Sequence, residues 1–163
     1  FFRLSSGIFL RDQYNTIDWV KNNSADAWQA ENVGNVKAYG IDITPEFKFK
    51  DSVLKNISVG YTYLTLNKAS PYAFSKYVFD YDLHKVVTKL GFSYKGYQAN
   101  LTGNFSKPVD REKYVTFDLK FTKKLCSFII ALEGINIFNK SYEELKDVDG
   151  TKRWYKLSVA YEF

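Results

Sequence analysis

Tyr97-Gln98-Ala99-Asn100-Leu101-Thr102-Gly103-Asn104-Phe105-Ser106 is the stretch that decides the fold. Its odd positions are apolar or small and its even positions are all polar. That is the period of two made by a strand with one apolar face and one wet face. The pattern recurs outward in both directions. Val115, Phe117, Leu119 and Phe121 alternate with Thr116, Asp118, Lys120 and Thr122. Tyr155, Leu157, Val159, Tyr161 and Phe163 alternate with Lys156, Ser158, Ala160 and Glu162. Upstream, Ile57, Val59, Tyr61 and Tyr63 oppose Ser58, Gly60 and Thr62, and Val86, Leu90, Phe92 and Tyr94 oppose Lys85, Lys89 and Ser93.

Eight strands are expected, over 3–18, 35–49, 54–67, 82–94, 97–106, 114–122, 127–137 and 153–163, with no helix required. Pro45 falls inside the second, where an edge or a bulge would tolerate the missing N–H. The connections alternate long and short along the chain. A soluble sandwich gives no reason for that rhythm. An up-and-down barrel crossing an outer membrane does, with tight turns at one rim and longer loops at the other. Both chain ends then lie on the short-turn side. Strands of this length reach or exceed the ~9–11 residues that a tilted strand needs to cross a bilayer.

Composition narrows the classes. Phe, Tyr and Trp make up 18% of the 163 residues, so extensive packing is required and disorder is excluded. Cys126 is alone, which excludes a disulfide framework. No apolar run approaches the ~18 residues of a transmembrane helix. Phe1–Leu10 lacks the pattern of a secretory leader. With one His, one Cys and no nucleophile or phosphate-loop motif, the chain is read as a non-enzyme without cofactor or metal. His84 follows the apolar parity and is placed outward at the outer rim as an interfacial imidazole. Asp12, Asp18, Asp26 and Glu31 surround the first long connection, fit no calcium-loop spacing and are read as solvated charge. The net charge of +5 with many aromatics raises single-stranded nucleic acid. Aromatics and charges nevertheless fall on opposite faces, so no nucleic-acid partner is assigned.

Alternation alone leaves open which face is inside. A soluble ligand-binding barrel encloses its apolar face, and a membrane barrel turns it outward. Tyr94, Tyr97, Tyr155 and Phe163 near strand ends match interfacial girdles. The Asn, Gln, Thr, Lys and Asp of the other face suit a watery lumen. The expectation is that Leu101, Phe105, Phe117, Leu119, Leu157 and Val159 face lipid, and that Asn100, Asn104, Asp118, Lys120 and Ser158 face the other way.

Several segments resemble those of TonB-dependent outer-membrane receptors. Ile135-Asn136-Ile137-Phe138-Asn139-Lys140-Ser141-Tyr142 resembles the family's NLFNKxY signature. Arg153-Trp154-Tyr155 and Tyr161-Glu162-Phe163 bracket the last strand as in that family. Asn15-Thr16-Ile17-Asp18-Trp19 is similar to its NLIDW segment. Trp28–Val33 with Gly40-Ile41-Asp42 is similar to its YxNxG…GxE stretch. His84-Lys85 stands where these receptors often carry PxHK, without the Pro.

The resemblance implies that residues 1–163 are the C-terminal part of a 22-strand barrel, with the plug domain absent from this piece. It implies uptake of a large scarce nutrient at the outer membrane of a Gram-negative bacterium, cobalamin first and a ferric siderophore second. TonB would act through the plug. Mouth aromatics Trp19, Trp28, Tyr72, Tyr77, Tyr142 and Trp154 become ligand-binding candidates, and Tyr161 with Phe163 a barrel-assembly signal. Asn136–Tyr142 is expected to be a strand end held by packing. The alternative is a complete eight-stranded outer-membrane barrel with a structural or adhesive role. A segment of a larger barrel predicts that strands 3–18 and 153–163 do not pair with each other.

Overall fold

The computed structural model describes residues 1–162, and among these every regular element is a strand. Eight long strands form one antiparallel meander: β1 (Phe2–Lys21), β2 (Gln29–Lys48), β3 (Leu54–Leu66), β5 (Asp82–Tyr94), β6 (Tyr97–Pro108), β7 (Tyr114–Leu125), β8 (Phe128–Ile135) and β11 (Trp154–Tyr161). Three short strands lie in the long connections. β4 (Phe74–Ser75) pairs with the end of β1, while β9 (Glu143–Leu145) and β10 (Val148–Asp149) make a small hairpin. The sheet runs β11-β8-β7-β6-β5-β3-β2-β1-β4. Each long strand therefore pairs with its long-strand neighbours in sequence. β1 and β11 stand at opposite sides of the sheet and do not meet, as expected of a barrel segment.

The turn ends are sorted as the loop rhythm requires. Residues 49–53, 95–96 and 126–127 make the short connections. The 95–96 turn places Lys95 at φ 46° and Gly96 at φ 76°. Positive φ at both central residues gives the turn whose twist matches the strands it joins. The Phe1 amino group donates to Lys48 O at 3.0 Å, and Glu162 N donates to Ser127 O at 2.8 Å. Both ends of the described chain thus lie at the short-turn rim.

Register sorts the side chains into two faces. Phe92, Ala99, Phe121, Leu132 and Leu157 lie in one row across five strands. Asn100, Lys120, Glu133 and Lys156 form a row of the other parity. The apolar face has no core behind it: Leu157 is 69% exposed and Val159 63%. Hollows occur on the polar face instead, lined by Thr44, Ser58, Thr62, Lys85 and Lys89. That face is stitched by Thr62 donating to Asp42 at 2.6 Å and Asn104 donating to Asp118 at 3.1 Å.

Aromatic pairs mark both ends of the apolar band. Phe2 with Phe47 (4.8 Å) and Phe128 with Tyr161 (5.0 Å) sit toward the short turns. Phe117 with Phe138 (5.5 Å, edge-on) and Tyr63 with His84 (5.3 Å) sit toward the long loops. His84 is on the outward face as expected, with its Nδ1 2.9 Å from the Tyr61 hydroxyl. Phe163 lies outside the described residues.

Three expectations change. β1 and β2 run further than 3–18 and 35–49, leaving only 22–28 between them. Asn15 takes φ 51°, and the ladder shifts register between Gln13, Thr16 and Ile17. Such a bulge breaks the period of two, so the strand beyond it reads as loop. Pro45 is neither at an edge nor at a bulge. Its strand is flanked by β1 and β3, and the β2–β3 ladder passes from Ile43↔Tyr61 to Glu46↔Ser58 without a shift. Asp18, expected as solvated charge, is 1% exposed.

Candidate functional site: the long-loop rim

The hydrophobic core of this chain lies under the loops. Val20, Val33, Val36 and Phe79 are buried together, with Leu66, Tyr72 and Val78 against them. Extending β1 and β2 past the sheet supplies the valines, and the 67–81 connection folds back to cover them. The polar atoms that this fold-back buries are gathered by Asp18. One carboxylate oxygen accepts from Trp19 N (2.8 Å) and Tyr77 N (3.1 Å), and the other from Val78 N (3.2 Å) and the Ser75 hydroxyl. A buried carboxylate is stable only when donors replace its water. Here four donors do so, and the loop is thereby tied to β1.

Asp80 ties the same connection to two others. Its Oδ1 accepts from Arg111 Nε at 2.8 Å, with the two side chains 3% and 5% exposed. Its Oδ2 accepts from Lys146 N at 2.7 Å, while Arg111 also donates to Glu143 O. Loop 67–81, loop 109–113 and the β9–β10 hairpin thus share one ion pair.

Asn136 is a third tie, with 1% exposure. Its amide donates to Lys140 O (2.8 Å) and Thr151 O (2.9 Å), and its Oδ1 accepts from Lys140 N (2.9 Å). Its backbone N donates to Asp118 at 2.9 Å. Asn139 Oδ1 accepts from Arg153 N at 3.0 Å. Both Asn residues have positive φ, 47° and 53°. Asn tolerates that region and can replace backbone partners with its amide. This accounts for the two Asn residues of the Ile135–Tyr142 stretch as a turn that starts the last long loop.

Between loop 109–113 and the hairpin lies an open cleft of about 470 Å³. Tyr114 and Tyr142 form its aromatic wall, stacked at 4.3 Å and 25°. Around them stand Asp110, Glu112, Lys113, Lys140 and Lys146, so both signs of charge are present. Burial pushes the Tyr142 hydroxyl above its ordinary pKa, and the charge of Glu144 adds to this. Gly150 donates its N–H to Tyr142 O at 2.8 Å, and a Cβ at Gly150 would lie 2.2 Å from the Tyr142 ring. Gly150→Ala should displace that ring from Tyr114 and cost ~1–3 kcal/mol, the usual penalty of overpacking. Denaturant titration checks this, and in a Tyr142→Ala background the penalty should shrink.

The six aromatic candidates do not converge on one point. Trp19, Trp28, Tyr72 and Tyr77 lie around the ends of β1 and β4, and Tyr142 and Trp154 near β8 and β11. Tyr72 packs on the loop core. Tyr77 is 52% exposed and Trp19 47%. The Trp28 ring faces the ammoniums of Lys21 (4.7 Å) and Lys76 (5.4 Å). Trp154 has the parity of Lys156, whose partner is Glu133, and so lies on the polar face. The structural roles of Asp18, Asp80 and Arg111 are not legible in the sequence, because the partners that bury them lie far away along the chain. No group of three His, Cys, Asp or Glu side chains able to hold a metal occurs among the described residues.

No family model matches the sequence, and no curated protein matches it. Among solved structures the chain is similar to the FrpB iron transporter from Neisseria meningitidis (F3-3 variant), with a TM-score of 0.68 at 16% identity. The fold is that of a β-barrel segment. The likeness covers 99% of this chain and 29% of the transporter, so the chain spans less than a third of that protein's length. At this identity the likeness concerns fold alone.

Proposed function

We propose that this chain is the C-terminal wall and part of the outer mouth of a TonB-dependent receptor in a Gram-negative outer membrane. The observation that carries this reading is the exposed aliphatic band between two aromatic belts, opposite a hydrogen-bonded polar face. Such a band suits lipid, and its polar counterpart suits a water-filled lumen. The barrel fold shared with an iron transporter supports the reading, as do the sequence motifs. The plug, and with it the contact to TonB, belongs to the remainder of the receptor. This segment makes and breaks no bonds. It supplies wall, and a rim whose loops are tied before ligand arrives, which lowers the ordering cost of binding.

The cargo class is a large scarce nutrient, cobalamin or an iron–siderophore complex. Trp19, Trp28, Tyr72, Tyr77, Tyr142 and Trp154 are the rim aromatics proposed to meet it, and Tyr161 with Phe163 the proposed assembly signal. Uptake of labelled cobalamin and of ferric siderophores should be compared in cells with and without the intact receptor, and with and without TonB. Uptake of one of them that requires both is expected. Uptake of none, or uptake indifferent to TonB, would contradict the reading.

A further inference from the structure

The apolar face carries a charge where its neighbours carry none. Val159, Ile130, Lys123, Tyr97 and Tyr94 form one row across β11, β8, β7, β6 and β5. The row has the parity of Leu119 and Phe121, which is that of the aliphatic band. Along β6 as far as Phe105, and along β7, β8 and β11, no other described residue on that face is charged. Lys123 lies toward the short turns, one step inside the last row, which joins Leu125, Phe128 and Tyr161. An outward cation is costly near the middle of a bilayer and costs little near its interface.

The turn beside it holds the ammonium at this spot. Lys123 Nζ donates to Lys95 O at 3.1 Å and stands 3.7 Å from the Tyr97 ring centroid. A Cβ on Gly96 would lie 3.4 Å from it. The bond to Lys95 O uses one of the three ammonium donors. Lys95 belongs to the same turn, and its own ammonium stands 5.3 Å from the Tyr94 ring. Tyr94 and Tyr97 pair with each other and are 55% and 59% exposed. Ring faces attract ammoniums without cancelling their charge. Among the described residues no carboxylate lies within ion-pair distance of Lys95 or Lys123. Two acids of this rim serve other lysines: Glu46 pairs with Lys48, and Glu162 with Lys124. Asp51 stands in the neighbouring 49–53 turn, between Lys50 and Lys55 along the chain.

We infer that Lys123, with Lys95 beside it, seats the headgroup of an anionic phospholipid in the inner leaflet of the outer membrane. Lysine reads negative charge here and does not choose between phosphate and carboxylate. Position fixes the occupant instead. Phe121, Ile130 and Val159 beside Lys123 suit acyl chains, and the short turns of such barrels are periplasmic, so the group that reaches this row is the head of an inner-leaflet lipid. The long apolar stem of lysine lets its ammonium reach the headgroup level while the methylenes stay in the band. A net negative head gains from both lysines. A zwitterionic head brings an ammonium of its own and gains less. The inference rests on the proposed placement of this face against lipid, and adds to it a preferred lipid and its seat.

Native mass spectrometry of the intact receptor in neutral detergent reads the lipid bound on titration with phosphatidylglycerol or phosphatidylcholine. Wild type is compared with a Lys95→Gln, Lys123→Gln double variant and with Lys123→Arg, which keeps the charge. A control double, Lys85→Gln with Lys89→Gln, removes the same charge from the polar face. Wild type, Lys123→Arg and the control should bind their first phosphatidylglycerol at least fivefold more tightly than phosphatidylcholine, with the preference shrinking as salt rises. The Lys95, Lys123 double variant should bind the two lipids alike, with an unchanged melting temperature. A preference kept by that variant, or absent from wild type, would overturn the inference. Equal insertion costs for Leu119→Arg and Thr102→Arg would contradict the placement against lipid and the site with it. Unequal costs with an unmoved preference would overturn the site alone.

Discussion

Asp80→Ala should destabilise the receptor by ~3–5 kcal/mol, because it leaves the Arg111 guanidinium buried with no counter-charge. The variant also orphans Lys146 N, which donates to Asp80 at 2.7 Å. Its effect should concentrate at the rim. Limited proteolysis should cut loop 109–113 and the β9–β10 hairpin faster, while strand resonances or exchange protection in β6 and β7 stay as they were. Asp80→Leu with Arg111→Leu should recover much of the loss, since a buried pair replaced by apolar side chains of similar size is often tolerated. A denaturant midpoint for Asp80→Ala equal to that of wild type would show that the pair holds nothing together.

Leu119→Arg should hinder insertion by ~2–4 kcal/mol, the cost of an outward cation near the middle of a bilayer. Leu119 pairs with Leu101 in the centre of β7, within the aliphatic band and away from both belts. Thr102→Arg is the matched control. Thr102 pairs with Asp118 and Lys89 on the polar face, where an added guanidinium meets water and a carboxylate. Folding titrations into vesicles should separate the two variants clearly. Equal costs would mean that the faces have been assigned the wrong way round.

The strands of this chain are legible in its sequence because a half-wet sheet writes itself as alternation. From Leu54 to Leu125 the expected and observed elements agree to within a few residues, and the turn at Lys95-Gly96 announces itself. Legibility fails where the period fails. The bulge at Asn15 shifts parity, so the last residues of β1 look like loop, and the opening of β2 is lost with them. The rim was the least readable part. Asp18 looks like any loop carboxylate until Ser75, Tyr77 and Val78 are seen to surround it. Asp80 and Arg111 are separated by 31 positions, and nothing in either neighbourhood points to the other. Asn136 and Asn139 could be singled out by motif, but the reason for them, two positive φ angles and a set of backbone partners, appears only in three dimensions.

The nearest-neighbour order of the sheet has a kinetic meaning. Every long ladder in this chain joins strands adjacent along the sequence, apart from the small inserted pieces. Hairpins of this kind close short loops, so each ladder can form at a low entropic cost as soon as its two strands are present. The outer edge of β11, and that of β1 outside its short pairing with β4, have no such local partner among the described residues. If β11 is the last strand of a closed cylinder, as the proposed function has it, its partner is the strand most distant in sequence. Sealing the wall would then be the step with the greatest chain separation, and so the slow one. A strip whose interior can zip early and whose margins must wait needs something to hold it, unaggregated, until the last seam is made.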